Sequence, residues 1–337
     1  MSTSTSVQQA ATTQDLPVKG PVWVSKFTTP SPSRDDNSRE LLLGLNDEAN
    51  SHNIHYDRPS CEQLSCEWTG YRDGVEAGTP EPLLPENEKF QKLVEVPRVP
   101  WRLNTPSSYR GRAGSLAKAT GGKILMVKLR LAPQSPFPTA FLDVFQTYLL
   151  RLASPPNSPH EAIPAKNIVL AGDSSRSVLA LSLLQVLLQL KRKNIPMKFH
   201  ENTLQPAGLT LLSVTTDLVN ALLSHERNIT HAHPLASPVA SLDWSGSCSL
   251  WSASRQEQVV DGYRLIAQIA FSQEVPVVLQ EYEGMPRAFF WVFGKAPQTI
   301  KILADWAEAI VAFGKGKKLV SKAEFIHAEG LKAEELS

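Results

Sequence analysis

NIVLAGDSSR, residues 167–176, decides the fold of this chain. Ile168 to Ala171 form a short apolar run closed by Gly172, which reads as a buried strand, and a helix is expected from Ser175 to about Lys193. A serine at so tight a strand-to-helix turn projects its hydroxyl above the sheet, and the amide after it points at the place where an oxyanion would form. Ser174 is thus a candidate nucleophile and Ser175 an oxyanion donor. The plainer account of the same residue is a serine capping a helix N-terminus. Arg176 stands where the G-x-S-x-G form has a small residue.

Working outward, strands and helices alternate. SSYRGRAGSLAKATGG at 107–122 offers a helix stopped by two glycines, and KILMVKL follows as a strand. A Pro-punctuated loop at 131–138 leads to a helix over 139–152. Beyond the turn come strands at 207–213 and 247–253, a helix at 261–273, a strand at 275–283 and a helix at 299–315. This alternation predicts an α/β fold, a mainly parallel sheet covered by helices on both faces. Residues 1–26 are expected to lack fixed structure, and 27–106 to form an irregular, cap-like segment. The α/β domain would span 107–315, and 316–337 a charged tail, read as a solvated helix or frayed end.

Composition narrows the function classes. In 337 residues, 42% are apolar and the formal net charge is +1, so no basic surplus argues for a nucleic-acid partner. Three cysteines, an odd number, suit a reducing compartment, and with a polar N-terminus the expected location is the cytoplasm. The most apolar run, VLALSLLQVLLQL at 178–190, is shorter than the roughly 20 residues a membrane span needs.

LRLAPQSPFPTAFLDVFQTYL (129–149), SPPNSPHEAIPAKNIVLAGDSS (154–175), HPLASP (233–238) and VPVVLQEYEGMPRAF (275–289) together resemble fungal α/β-hydrolase fold-3 proteins of the hormone-sensitive-lipase family. The resemblance implies an α/β-hydrolase fold acting on a small carboxylic ester. It puts the nucleophile on Ser174 and the triad acid on Glu257, four residues before Asp261. The family histidine position is occupied by Arg287, whose guanidinium stays protonated and cannot accept the serine proton. Upstream, VEVPRVPWRLNTPSS lacks the family's His-Gly-Gly loop, and its prolines suggest an irregular connection. The implied activity is therefore weak or lost. The alternative is a pseudo-hydrolase that binds a small apolar ligand or a protein partner. A third reading is an incorrect gene model or a decaying duplicate that has lost the His-Gly-Gly segment, the gap falling between Val99 and Ser107.

Other constellations were weighed. His52, His55, Cys61 and Cys66 have ligand types suited to zinc, but their spacing matches no common finger, and a solvated loop is the expectation. His225, His231, His233 and His327 could in principle replace the missing base. Arg130 and Asp143 read as structural, and Trp244, Trp251 and Trp291 as packing residues. No dinucleotide fingerprint or phosphate-cradling loop is present, so no cofactor and no metal are expected.

Overall fold

The computed structural model describes residues 14–336 except 34–35, 52, 95–98, 104–105, 154–159, 196–203, 215–232, 256–259 and 286–288. One sheet organises the chain. Its strands are β1 (Val22–Thr28), β2 (Ser65–Tyr71), β3 (Val99–Leu103), β4 (Ile124–Val127), β5 (Ile168–Asp173), β6 (Gly208–Leu212), β7 (Ser249–Arg255), β8 (Val277–Tyr282), β9 (Lys322–Ile326) and β10 (Ala333–Glu335). They lie side by side in the order β1-β2-β4-β3-β5-β6-β7-β8-β9-β10. From β4 through β9 every neighbour is parallel, while β1 with β2, β2 with β4, and β9 with β10 pair antiparallel.

Alternation along the central strands sorts their side chains into two cores. Leu125 and Val127 of β4, Ile168 and Leu170 of β5, and Leu209 and Leu211 of β6 enter one cluster; Ile124, Met126, Val169, Ala171 and Leu212 enter the other. The first core is covered by α1 (Ser38–Ala49), α2 (Glu86–Val94), α4 (Thr139–Leu152), α5 (Ser175–Arg192) and α6 (Val260–Ser272). The second is covered by α3 (Pro106–Thr120), the short α7 (Phe289–Val292) and α8 (Pro297–Gly314). A sheet buried on both faces needs near-continuous apolar strands, as the sequence of β4 to β6 has. The run at 178–190 lies in α5 and is buried almost throughout. Among the described residues, no helix is long and apolar enough to cross a membrane.

Three expectations need correction. Residues 27–106 are not a separate cap-like layer: β2 and β3 lie in the sheet, and β1 begins at Val22, inside the stretch expected to be unstructured. VWVSKFT pairs in register with SCEWTGY, Val22 opposite Tyr71 and Thr28 opposite Ser65, so the edge strand gets its order from a partner 43 residues away. Second, the Pro-rich connection at 97–106 contains β3, seated between β4 and β5. Pro100 lacks one backbone donor, yet its fixed φ is compatible with an extended chain held from both sides. Third, the charged tail continues the sheet: β9 adds in parallel to β8, and β10 folds back on β9.

Candidate active site

The turn between β5 and α5 is tight and holds Ser174 in a left-handed backbone conformation. Ser174 holds φ 52° and ψ −131°, a sparsely populated conformation for a residue with a Cβ. Backbone bonds fix it: the Ser174 N–H donates to Leu212 O at the end of β6 (3.0 Å), and the Ser177 N–H donates to Ser174 O (3.0 Å). Ser174 occupies the cap position of α5 but its side chain makes no capping bond, so the plain helix-cap account fails. Ser175 is the first residue of α5, where backbone N–H groups and the helix dipole favour negative charge. Ser174, Ser175 and Arg176 are half-buried.

Gly172 explains how Arg176 is tolerated. A Cβ on Gly172 would come within 2.7 Å of Arg176 O and 3.0 Å of Ser177 Cα, so the tight approach is made by the helix backbone. The Arg176 side chain instead reaches over the ring of Tyr109, 5.7 Å from its centroid. Tyr109, in the first turn of α3, donates its phenolic hydrogen to Asp173 Oδ2 at 2.6 Å. Asp173 is 2% exposed. Neither Tyr109 nor its bond was foreseen, because nothing in SSYRGRAG marks a tyrosine that meets a residue 64 positions on.

On the other side of Ser174, β3 ends at Leu103 and α3 starts at Pro106, leaving a two-residue connection where an oxyanion loop would sit. Pro106 contributes no N–H. Glu257 and Arg287 both lie outside the described residues. The strands leading to them, β7 and β8, end at the same edge of the sheet as β5, through the register Asp173–Leu212, Leu212–Ala253 and Ala253–Gln280.

Of the four histidines weighed as a base, the two that are described are committed elsewhere. His233 is buried; its Nδ1 accepts the Leu235 N–H (3.2 Å), leaving Nε2 to donate towards Asn46 O (3.3 Å), and burial holds its pKa below the usual range. His327 sits between β9 and β10 with Nε2 2.7 Å from Glu334. His225 and His231 lie outside the described residues.

The zinc set does not assemble among the described residues. Cys66 is buried in the first core, where burial pushes its thiol up to about 12, and Cys61 Sγ meets Ser38 Oγ at 3.7 Å, while His55 is exposed. His52 is outside the described residues. Arg130 and Asp143 are structural, as read: the Asp143 carboxylate, fully buried, accepts from Arg130 Nε (3.0 Å), Nη2 (2.6 Å) and backbone N (2.9 Å), tying the 129–138 loop to α4. Trp244 and Trp251 are core residues, and the side chain of Trp291 is outside the described set.

A groove of about 360 Å³ opens beside the start of α3. Ion pairs run along it: Arg110 clamps Glu67 through Nε (2.8 Å) and Nη2 (2.6 Å), and Asp15 takes Arg110 Nη2 (2.7 Å) and Lys26 Nζ (2.5 Å). Arg110 also donates to Leu16 O, and Ser107 Oγ donates to Gln14 O (2.6 Å), so the N-terminal segment forms one wall.

A parallel sheet of this strand order, with a strained serine between β5 and the helix that follows, defines an α/β-hydrolase. Residues 100–291, more than half of the chain, match the family described as alpha/beta hydrolase fold, and the chain belongs to it. An acetyl-hydrolase of Streptomyces hygroscopicus is 27% identical over 278 residues, 75% of this chain and 86% of that protein. An esterase of Acinetobacter venetianus is 27% identical over 230 residues, 61% of this chain and 70% of the relative. Among solved structures, an esterase from the bacterial hormone-sensitive lipase family superposes with a TM-score of 0.55 at 20% identity, covering 84% of this chain and 92% of that one. That likeness speaks to the fold.

Proposed function

We propose that the protein is a carboxylic-ester hydrolase of the hormone-sensitive-lipase type, of weak or lost turnover, acting on a small ester. The observation that carries this reading is the Ser174 backbone, φ 52° at the junction of β5 and α5. Ser174 Oγ would attack the acyl carbon, the Ser175 amide would receive the oxyanion, and Glu257 would hold a base. The names of the two sequence relatives, an acetyl-hydrolase and an esterase, support the reaction class. The expected weakness has two sources. Arg287 cannot take the serine proton, and a two-residue β3–α3 connection leaves little backbone for a second oxyanion donor. Losing one such donor costs about 10² to 10³ in rate. Those two features favour a second reading, a pseudo-hydrolase that binds a small apolar ligand or a protein partner. Three free cysteines fit a cytoplasmic location.

Labelling with a fluorophosphonate and turnover of a short-chain p-nitrophenyl ester test the reading in wild type, Ser174→Ala, Arg287→His and Arg287→His combined with Ser174→Ala. Arg287→His is expected to gain turnover at least about tenfold, with loss of both signals when Ser174 is also removed. Turnover that survives Ser174→Ala defeats the nucleophile assignment. No labelling and no gain in Arg287→His would favour the binding protein.

A further inference from the structure

The charged groove shares an edge of the sheet with Ser174. Register fixes its level. Val127 pairs with Leu103, Arg102 with Ala171, Cys66 with Val127, and Thr28 with Ser65. Lys128, whose N–H donates to Ser65 O (2.9 Å), therefore stands level with Asp173, the residue before the nucleophile. Thr28, Ser65 and Lys128 all line the groove at that height. Only β3 lies between β4 and β5, so two strand spacings, about 10 Å, separate the ends of those strands.

Charges in the groove do not cancel. Its carboxylates, Asp15 and Glu67, are both engaged, by Lys26 and Arg110 and by Arg110 respectively. That leaves Lys128, which is exposed and forms no ion pair among the described residues. Three cations face two anions, and the surplus sits on the lysine closest in register to the nucleophile turn. An exposed, unpaired cation at the rim of a groove that also presents the Thr28 and Ser65 hydroxyls offers a carboxylate a charge-assisted partner.

We propose that this groove receives the far end of the bound ester and that Lys128 selects a carboxylate there, making the preferred substrate class a monoester of a dicarboxylic acid whose free acid lies about 10 Å from the reacting carbonyl. The proposal rests on the ester-hydrolase reading of Ser174. Its test separates the two by measuring binding as well as turnover. Suberic acid monoamide and octanamide, which differ in the terminal carboxylate, are titrated calorimetrically into wild type, Lys128→Gln and Lys128→Glu, and turnover of mono-p-nitrophenyl suberate is compared with that of p-nitrophenyl octanoate. Wild type is expected to bind the anionic amide about fivefold more tightly than the neutral one, as a partly exposed ion pair allows. Added salt weakens that preference, Lys128→Gln abolishes it and Lys128→Glu reverses it. The same preference without turnover of either ester supports the groove assignment while the hydrolase reading falls. Turnover with no preference for the suberate compounds, a preference untouched by both Lys128 variants, or no binding of either amide overturns the groove assignment. Circular dichroism of the variants confirms that an exposed position has been changed without loss of fold.

Discussion

Tyr109 and Asp173 are joined by a 2.6 Å hydrogen bond that ties the first turn of α3 to the last residue of β5. The helix after β3 is thereby tethered beside the turn that carries Ser174. A hydrogen bond to a buried carboxylate is worth about 1.5–3 kcal/mol. Tyr109→Phe should therefore lower stability by about 2 kcal/mol in urea denaturation. It should also slow fluorophosphonate labelling in the Arg287→His background, because Asp173 directly precedes Ser174. Unchanged stability would mean that the phenol adds nothing to the turn.

Ser174 holds its hydroxyl in place at a cost in backbone strain. Residues with a Cβ in such regions cost about 1–3 kcal/mol, whereas glycine loses about 0.5–1 kcal/mol through its greater freedom in the unfolded chain. The first effect outweighs the second, so Ser174→Gly should stabilise the protein by about 1 kcal/mol while abolishing any covalent labelling. Gly172→Ala acts the other way: its methyl would meet the backbone of Arg176 at 2.7 Å, and a loss of about 3 kcal/mol or failure to fold is expected. Equal stability of Ser174→Gly and Gly172→Ala would contradict the described turn.

How much of this was legible in the sequence depends on where each element gets its order. β4 to β8 and the helices between them carry their own signal, apolar runs such as ILMV and IVLAG bounded by glycine or proline. β1, β3 and β9 do not. VWVSKFT sits in a polar region, Pro100 interrupts the apolar pattern of β3, and of KAEFI only Ile326 is buried. Their strand character comes from neighbours distant in sequence. The same holds for the site. Ser174 stands out in the sequence as a candidate because strand, serine and helix are contiguous, while Tyr109, Arg110 and Lys128 acquire meaning only when α3 and β4 are laid beside β5 and β2.

His160 makes stability depend on pH. It is buried beside Arg151, and burial, with the positive charges of Arg151 and Lys123, pushes its pKa down to about 3. An unfolded histidine titrates near 6.5, so between about pH 6.5 and pH 3 the unfolded chain takes up a proton that the folded one refuses. The uncharged ring thus fits the fold above pH 6.5, and stability falls as pH is lowered through that window, by up to about 1.4 kcal/mol per unit from this group. Acid titration of carboxylates overlaps it, so the informative quantity is a difference. His160→Gln should flatten the fall between pH 6.5 and 4.5 relative to wild type, measured by urea denaturation at each pH. Parallel curves would show that His160 protonates freely in the folded state.

Arg151 is the least comfortable charge among the described residues. It lies at the end of α4, 3% exposed, and its Nε and Nη1 have no hydrogen-bond partner among the described residues. Burial pulls its pKa down to about 9. What it does have is two aromatic faces, Phe27 and Trp68, each with its ring centroid 5.5 Å from the guanidinium carbon. Such contacts return about 0.5–2 kcal/mol apiece. Against them stand two unsatisfied buried donors at about 1–3 kcal/mol each, together with the desolvation of the ion itself. The costs are larger, and an unbranched apolar side chain of similar length would keep the packing against both rings. Arg151→Met is therefore expected to raise stability by about 1–2 kcal/mol and to bring the pKa of His160 back towards its ordinary value, since a positive neighbour is removed. Urea denaturation and NMR titration of the histidine ring read the two effects separately. A variant less stable than wild type would show that the aromatic contacts, or an anion held by the free donors, outweigh the buried charge.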